Sequence, residues 1–235
     1  MRRRTIRAVL FDKDGTLIDY HRSWAPINRA AAELAGAGDP ALTARLLDVG
    51  GMDASTGITR PDSLFAAGNT REIAQAWVDA GCRMNPAALT DALDRLFVAG
   101  ADRAVPVTDL ASLFTRLRER GLFLGIASSD SEAAISRLVE RFGLGDLVDF
   151  IAGYDSGCGT KPEPGMLLAF CKAVAIHPSE VAVVGDNLHD MNMAASGGAG
   201  LRIAVLTGTG TVETLRPSCD FCLPDIVTIE RVLRP

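Results

Sequence analysis

The chain has 235 residues, 48% of them hydrophobic, and a net charge of −5. That is ample material for a packed core, and it excludes disorder of the whole chain. The acidic balance argues against a nucleic-acid partner, and no apolar stretch reaches membrane-spanning length.

Met1-Arg2-Arg3-Arg4 resembles the start of a secretion signal, but the apolar run that follows is short and ends at Asp12. It reads as a solvated basic end. Five cysteines without a secretory signal suggest reduced thiols and a cytoplasmic setting. Cys219 and Cys222 have the spacing of half a zinc site but lack a second Cys/His pair.

Ala8 to Phe11 reads as a buried strand emptying into Asp12-Lys13-Asp14-Gly15-Thr16. Taken alone, this loop also fits an ordinary Asp-Gly surface turn. From about Ser23 to Phe97 the pattern is helical: Ala25 to Ala35, Pro40 to Leu47, Thr70 to Ala80 and Pro86 to Val98. A βα rhythm resumes at Asp109. It gives a helix over Leu110 to Arg120, a strand over Leu122 to Ala127, and a helix from Ser131 to Phe142. A short strand at Asp149 to Ala152, a helix from Pro164 to Ala175, and a strand over Val181 to Val184 follow. The last expected pair is a helix near Met191 to Ala195 and a strand over Arg202 to Leu206, ahead of a weaker tail.

Strands alternating with helices at this spacing predict an α/β fold with a Rossmann-like parallel sheet. The helical stretch is then an inserted all-α cap over residues 19–105, with the core formed by 1–18 and 106–235. In parallel sheets, the carboxyl ends of the strands collect on one edge. Asp12 and Asp14, Ser128 and Ser129, Lys161, and Asp186 with Asp190 would meet there. Each has an ordinary explanation by itself, as a helix cap or a solvated loop residue. Their joint occurrence at four strand ends does not.

The motifs Asp-x-Asp-Gly-Thr (12–16), Ser128, Lys161 and Gly-Asp-x-x-x-Asp (185–190), in this order, resemble the haloacid dehalogenase-like hydrolases. The resemblance spans essentially the whole chain. Asp155-Ser156 ahead of Lys161-Pro-Glu-Pro164, with a cap after the first motif, is similar to the phosphoglycolate-phosphatase-like branch. It implies a Mg²⁺-dependent phosphatase acting on a small phosphate ester, as a monomer or homodimer. Asp12 would be the nucleophile, forming an aspartyl-phosphate, and Asp14 the general acid and base. Mg²⁺ would be held by Asp12, the backbone carbonyl of Asp14, and Asp186. Ser128, Ser129 and Lys161 would bind the phosphoryl group. Asp190 would orient Lys161 or a water of the metal, and Thr16 would help hold the loop.

Asp14 argues against the dehalogenases of the superfamily, which lack an acid at that position. The insertion contains no lysine, which argues against phosphonate hydrolases using a cap Schiff base. A sugar phosphomutase shares the core motifs and remains an alternative, as does a silent binding module on the same fold. For the substrate, His21 or Arg22, where the chain leaves the catalytic loop for the cap, would meet an anionic leaving group. Arg60 and Arg71 are weaker candidates. In the bland reading, His21 and Arg22 lie on the hinge surface and Trp24 packs in the cap core.

Overall fold

The computed structural model of the chain describes residues 5–233, so the basic end at Met1 to Arg4 lies outside the described residues. Six parallel strands form one sheet: β1 (Ala8–Phe11), β2 (Phe123–Ala127), β3 (Phe150–Ala152), β4 (Val181–Gly185), β5 (Leu201–Val205) and β6 (Phe221–Leu223). Their order across the sheet is β3-β2-β1-β4-β5-β6, so the direction of winding reverses between β1 and β4. That reversal opens a crevice at the carboxyl ends of the two strands, the usual ligand position in such sheets.

Between β1 and the helix that directly precedes β2, the chain runs through five α-helices and no strand. They are α1 (Tyr20–Gly36), α2 (Pro40–Gly50), α3 (Leu64–Ala67), α4 (Thr70–Asp79) and α5 (Pro86–Gly100). Local chemistry starts them: Asp19, Asp39, Asn69 and Asn85 each cap a helix through a side-chain oxygen, and Pro40 and Pro86 occupy the first turn, where no N–H is needed. The helices close over their own apolar cluster around Trp77, Leu46, Leu89 and Leu93. Trp77 is fully buried, and its indole N–H donates to the Leu46 carbonyl at 3.0 Å. The two linkers to the sheet run side by side, with Asp19 N–H donating to Val105 O and Val107 N–H to Leu17 O.

The sheet is covered on both faces. Helices α6 (Leu110–Glu119) and α7 (Glu132–Arg141) cover one face, and α8 (Gly165–Ala173) and α9 (Leu188–Ser196) cover the other. A short α10 (Val212–Leu215) precedes β6. Strand alternation divides β1 between these layers. Val9 and Phe11 pack with Phe114 and Leu138, while Ala8 and Leu10 pack with Met166 and Phe170. A strand buried on both faces must be apolar throughout, which explains the uninterrupted Ala-Val-Leu-Phe run.

The observed elements differ from the expected ones in three places. A sixth strand, β6, follows the strand expected to be last; its three residues are too few to carry an alternation signal, and it pairs only along the sheet edge. Helix α3 is a single turn and has no side-chain cap, so nothing local announces it. Helix α1 begins at Tyr20, five residues earlier than expected, and continues through Pro26. The Asp19 cap, whose carboxylate accepts from Arg22 N–H at 3.0 Å, is what moves this boundary.

Candidate active site

The sheet register brings the motif residues together. Phe11 pairs with Ile126 on one side and with Val184 on the other, so Asp12, Ser128 and Asp186 leave three neighbouring strands at one edge. The loop after β3 brings Lys161 to the same place. Its buried ammonium donates to Asp12 Oδ1 and to Asp190 Oδ1, both at 2.6 Å. Asp190 Oδ2 accepts from Asn187 N–H at 3.1 Å, so both oxygens of Asp190 are engaged. Asp12 Oδ2 is buried and has no partner among the described residues.

Asp186 is seated by a loop that the sequence did not single out. Thr209 N–H donates to Asp186 Oδ2 at 2.8 Å, and Thr207 Oγ1 donates to the Gly15 carbonyl at 2.6 Å. Both glycines at this junction are sterically required. A Cβ on Gly208 would overlap the Asp186 carboxylate, and one on Gly15 would lie 2.6 Å from it. Gly15 also has φ +83°, a conformation that favours glycine.

Asp14 sits in a second polar cluster. Lys13 Nζ and the Trp24 indole N–H both donate to Asp14 Oδ1 at 2.6 Å, and Ser128 Oγ donates to Asp14 Oδ2 at 3.3 Å. Lys13 also pairs with buried Asp130 at 3.0 Å. The cap therefore reaches the floor of the site through Trp24, which otherwise packs edge-on against Phe97.

Five carboxylates (Asp12, Asp14, Asp130, Asp186 and Asp190) face two ammonium groups (Lys13 and Lys161), a formal excess of three negative charges with every group ionised. Burial dominates the titration of the deepest groups. It raises Asp12 from 3.8 to about 7, despite the opposing charge of Lys161, and burial with the neighbouring Asp12 and Asp190 charges raises Asp186 well above its usual range. Burial works against the charge on Lys161, but Asp12 and Asp190 more than offset it and hold the ammonium firmly protonated. Such a site is set up to receive positive charge. Carboxylate oxygens of Asp12, Asp186 and Asp190 lie within 4.8 Å of one another, an all-oxygen set suited to a hard divalent cation. The expected set joined Asp12 and Asp186 through the main-chain carbonyl of Asp14, with Asp190 orienting Lys161 or a water of the metal. With the Asp14 carboxylate held by Lys13, Trp24 and Ser128, any metal contact it makes falls to its main-chain carbonyl.

Above this floor lies a cleft of about 600 Å³, open mouth included, between sheet and cap. Asp12, Asp14, Ser128, Ser129, Lys161 and Asp186 line it, and Asp190 joins them. Ser129 also touches the cap, donating to Ala67 O at 3.3 Å. Thr16 is fully buried but its hydroxyl makes no hydrogen bond among the described residues, so the loop is fastened by Thr207 instead. His21 and Arg22 do not line the cleft. Because α1 starts at Tyr20, its inward stripe is Tyr20, Trp24 and Asn28 at four-residue spacing, which turns Arg22 to the surface. Arg60 pairs with Asp48 and Arg71 lies 5.0 Å from the Tyr154 ring centroid, both away from the cleft. Trp24, Lys13, Asp130 and the 207–209 loop are the functional candidates that sequence reading missed. Lys13 carried a signal, as one of only three lysines in the chain.

A winding parallel sheet carries carboxylates and a lysine at its switch point, with a helical insertion above them, which defines a capped α/β fold with an acidic site. The chain belongs to the haloacid dehalogenase-like hydrolases, whose family model matches residues 6–198. Among curated relatives, it is 30% identical over 216 residues to a phosphoglycolate phosphatase of Cereibacter sphaeroides, covering 85% of this chain and 84% of the relative. It is 26% identical over 200 residues to an N-acetylmuramic acid 6-phosphate phosphatase of Pseudomonas aeruginosa, covering 84% and 81%. Its fold is similar to that of CbbY from Rhodobacter sphaeroides in complex with phosphate (TM-score 0.75, 20% identity, 96% of each chain). It is also similar to β-phosphoglucomutase from Clostridium difficile (TM-score 0.69, 16% identity, 97% of this chain and 96% of that one). No helix among the described residues is long and apolar enough to cross a membrane.

Proposed function

We propose that the chain is a Mg²⁺-dependent phosphatase that hydrolyses small-molecule phosphate monoesters through an aspartyl-phosphate on Asp12. The observation that carries this reading is the pairing of Asp12 with Lys161 at 2.6 Å, with its second oxygen unpartnered at the base of the cleft and Asp14 two residues away. Asp12, the Asp14 carbonyl and Asp186 would hold Mg²⁺, and bound Mg²⁺ would neutralise charge on the phosphoryl oxygens. Segment 19–105 acts as the cap and keeps bulk water from the reaction.

In the first half-reaction, an Asp12 carboxylate oxygen attacks phosphorus and the bond to the leaving oxygen breaks. Asp14 gives its proton to that oxygen. In the second, Asp14 takes a proton from a water that attacks the same phosphorus, releasing inorganic phosphate and restoring Asp12. Lys161 holds a fixed positive charge beside the transferring group, and Ser128 and Ser129 hold its oxygens. Asp190 keeps Lys161 in place. The test is phosphate release from an aryl phosphate and a panel of small esters, with Mg²⁺ and with EDTA. Mg²⁺-dependent release is expected. Isomerisation of a sugar phosphate without net release would favour a phosphomutase, and inertness toward every ester would favour a binding module.

Trp24 gives this mechanism a second test. Its indole N–H, with Lys13, positions the Asp14 carboxyl that must protonate the leaving oxygen. Trp24→Phe should lower turnover of alkyl esters, whose leaving groups need the proton, by about tenfold. Turnover of an aryl phosphate with an acidic leaving group should fall much less. An equal loss on both would mean that Trp24 serves packing alone.

Metal binding should also be visible in stability. Asp12 rises from 3.8 to about 7 on folding, so its contribution to stability is complete below about pH 4 and lost as pH rises through about 7. Asp186 shifts in the same direction. The metal-free protein should therefore melt at progressively lower temperature across that window. Mg²⁺ should raise Tm more at about pH 8 than at about pH 5, since it binds the ionised carboxylates. Equal shifts at both pH values would contradict the assignment.

A further inference from the structure

The roof of the cleft is chemically unlike its floor. The cap contributes the apolar side chains of Trp24, Phe65, Ile73 and Phe97, with Asn28 and Thr70 as polar groups among them. Among the described residues, no arginine or histidine of the cap lines the cleft, and the cap has no lysine. Three of its arginines are engaged elsewhere: Arg29 donates to Ala54 O, Arg45 donates to Ala80 O, and Arg60 pairs with Asp48. The lysine that does line the cleft is bound between Asp12 and Asp190, and Lys13 is held by Asp14 and Asp130. His189 is the one remaining basic group in the lining, and it stands on the core side at the start of α9, beside Asp190.

A carboxylate on the leaving group would find no counter-ion in the roof. It would lose water against an aromatic roof, above a floor already rich in negative charge, and nothing from the cap would compensate. A neutral, hydroxylated leaving group meets the opposite situation. Ring faces can cover its C–H surface while polar roof groups take its hydroxyls. Asn28 is placed for that task. It is 1% exposed, lies on the inward stripe of α1, and its Nδ2 has no hydrogen-bond partner among the described residues. A buried amide donor left unpaired is costly, and a substrate oxygen would satisfy it.

We infer that the substrate is a monophosphate of an uncharged, hydroxylated small molecule, a polyol or sugar, selected by the uncharged roof and by Asn28. Carboxylate-bearing esters such as phosphoglycolate are disfavoured. This rests on the phosphatase reading above and adds the class of leaving group to it.

Two matched pairs test the charge directly. 2-Hydroxyethyl phosphate and phosphoglycolate differ only in a hydroxymethyl group against a carboxylate, and so do sorbitol 6-phosphate and 6-phosphogluconate. With Mg²⁺ and the full chain, kcat/KM should favour the neutral member of each pair by about tenfold or more. Asn28→Ala should narrow the preference for sorbitol 6-phosphate by about fivefold, with the melting curve reporting whether the variant is folded. Equal or better turnover of the carboxylates, with an aryl phosphate hydrolysed normally, overturns the inference, makes His189 the counter-ion to examine, and leaves the phosphatase reading standing. A preference untouched in folded Asn28→Ala overturns the role of Asn28. Inertness toward every ester, the aryl phosphate included, overturns both readings.

Discussion

Asp12→Asn is expected to reduce phosphate release by about 10⁴-fold or more while leaving the protein folded. The amide keeps the shape of the side chain and can still meet Lys161, which lies 2.6 Å from Asp12 Oδ1. What it loses is the negative charge that, in the proposed mechanism, attacks phosphorus and attracts the metal. Because burial already disfavours that charge, the metal-free variant should melt at a temperature equal to or higher than the native protein near neutral pH. Loss of activity with retained or raised Tm is the signature of a nucleophile held in a strained electrostatic setting. Activity within tenfold of native would remove Asp12 from the chemistry.

Lys161→Met is the second large effect, and it has the opposite stability signature. The ammonium is buried, and it stands between Asp12 and Asp190 at 2.6 Å from each. Removing it leaves two buried carboxylates facing each other without a cation, a loss on the order of 3–5 kcal/mol at neutral pH. Turnover should fall by about 10²–10³-fold, because a fixed charge beside the transferring phosphoryl group disappears. The destabilisation should shrink as pH is lowered and Asp12 takes up its proton, and Mg²⁺ should recover part of it. A variant that melts like the native protein at neutral pH would show that the pair contributes little to the fold.

The large difference between these two variants follows from one feature of the site. Its carboxylates outnumber its ammonium groups, so deleting an acid relieves repulsion while deleting a base exposes it. A bound divalent cation would cut that formal excess from three to one. Metal binding, pH dependence and the two variants are therefore readings of the same imbalance.

The central layer of the fold was legible in the sequence because its physics is local. A strand buried on both faces must read as a continuous apolar run, and β1 and β4 both do. The carboxylates follow those runs directly, so locating the strands also locates Asp12 and Asp186. The parts that were not legible depend on contacts distant in sequence. Thr207 and Thr209 hold the first loop and Asp186 across separations of 192 and 23 residues, and no local pattern marks them. Strand β6 forms because β5 offers an unpaired edge, not because its three residues demand extension. Trp24 reads as a core residue of the cap and does pack against Phe97, yet its single polar atom reaches Asp14. The substrate expectation around Arg22 failed at one boundary. Starting the first cap helix at Ala25 overlooked the Asp19 cap, and a helix begun at Tyr20 presents Asn28 to the cleft instead.

The most direct test of the account is acid-quench trapping of the phosphorylated enzyme during turnover of a small phosphate ester, followed by peptide mass mapping. A phosphoryl group is expected on the peptide containing Asp12, located on that side chain, formed with Mg²⁺ and absent with EDTA or in Asp12→Asn. Steady phosphate release with no label at Asp12, or with the label on another residue, would contradict it.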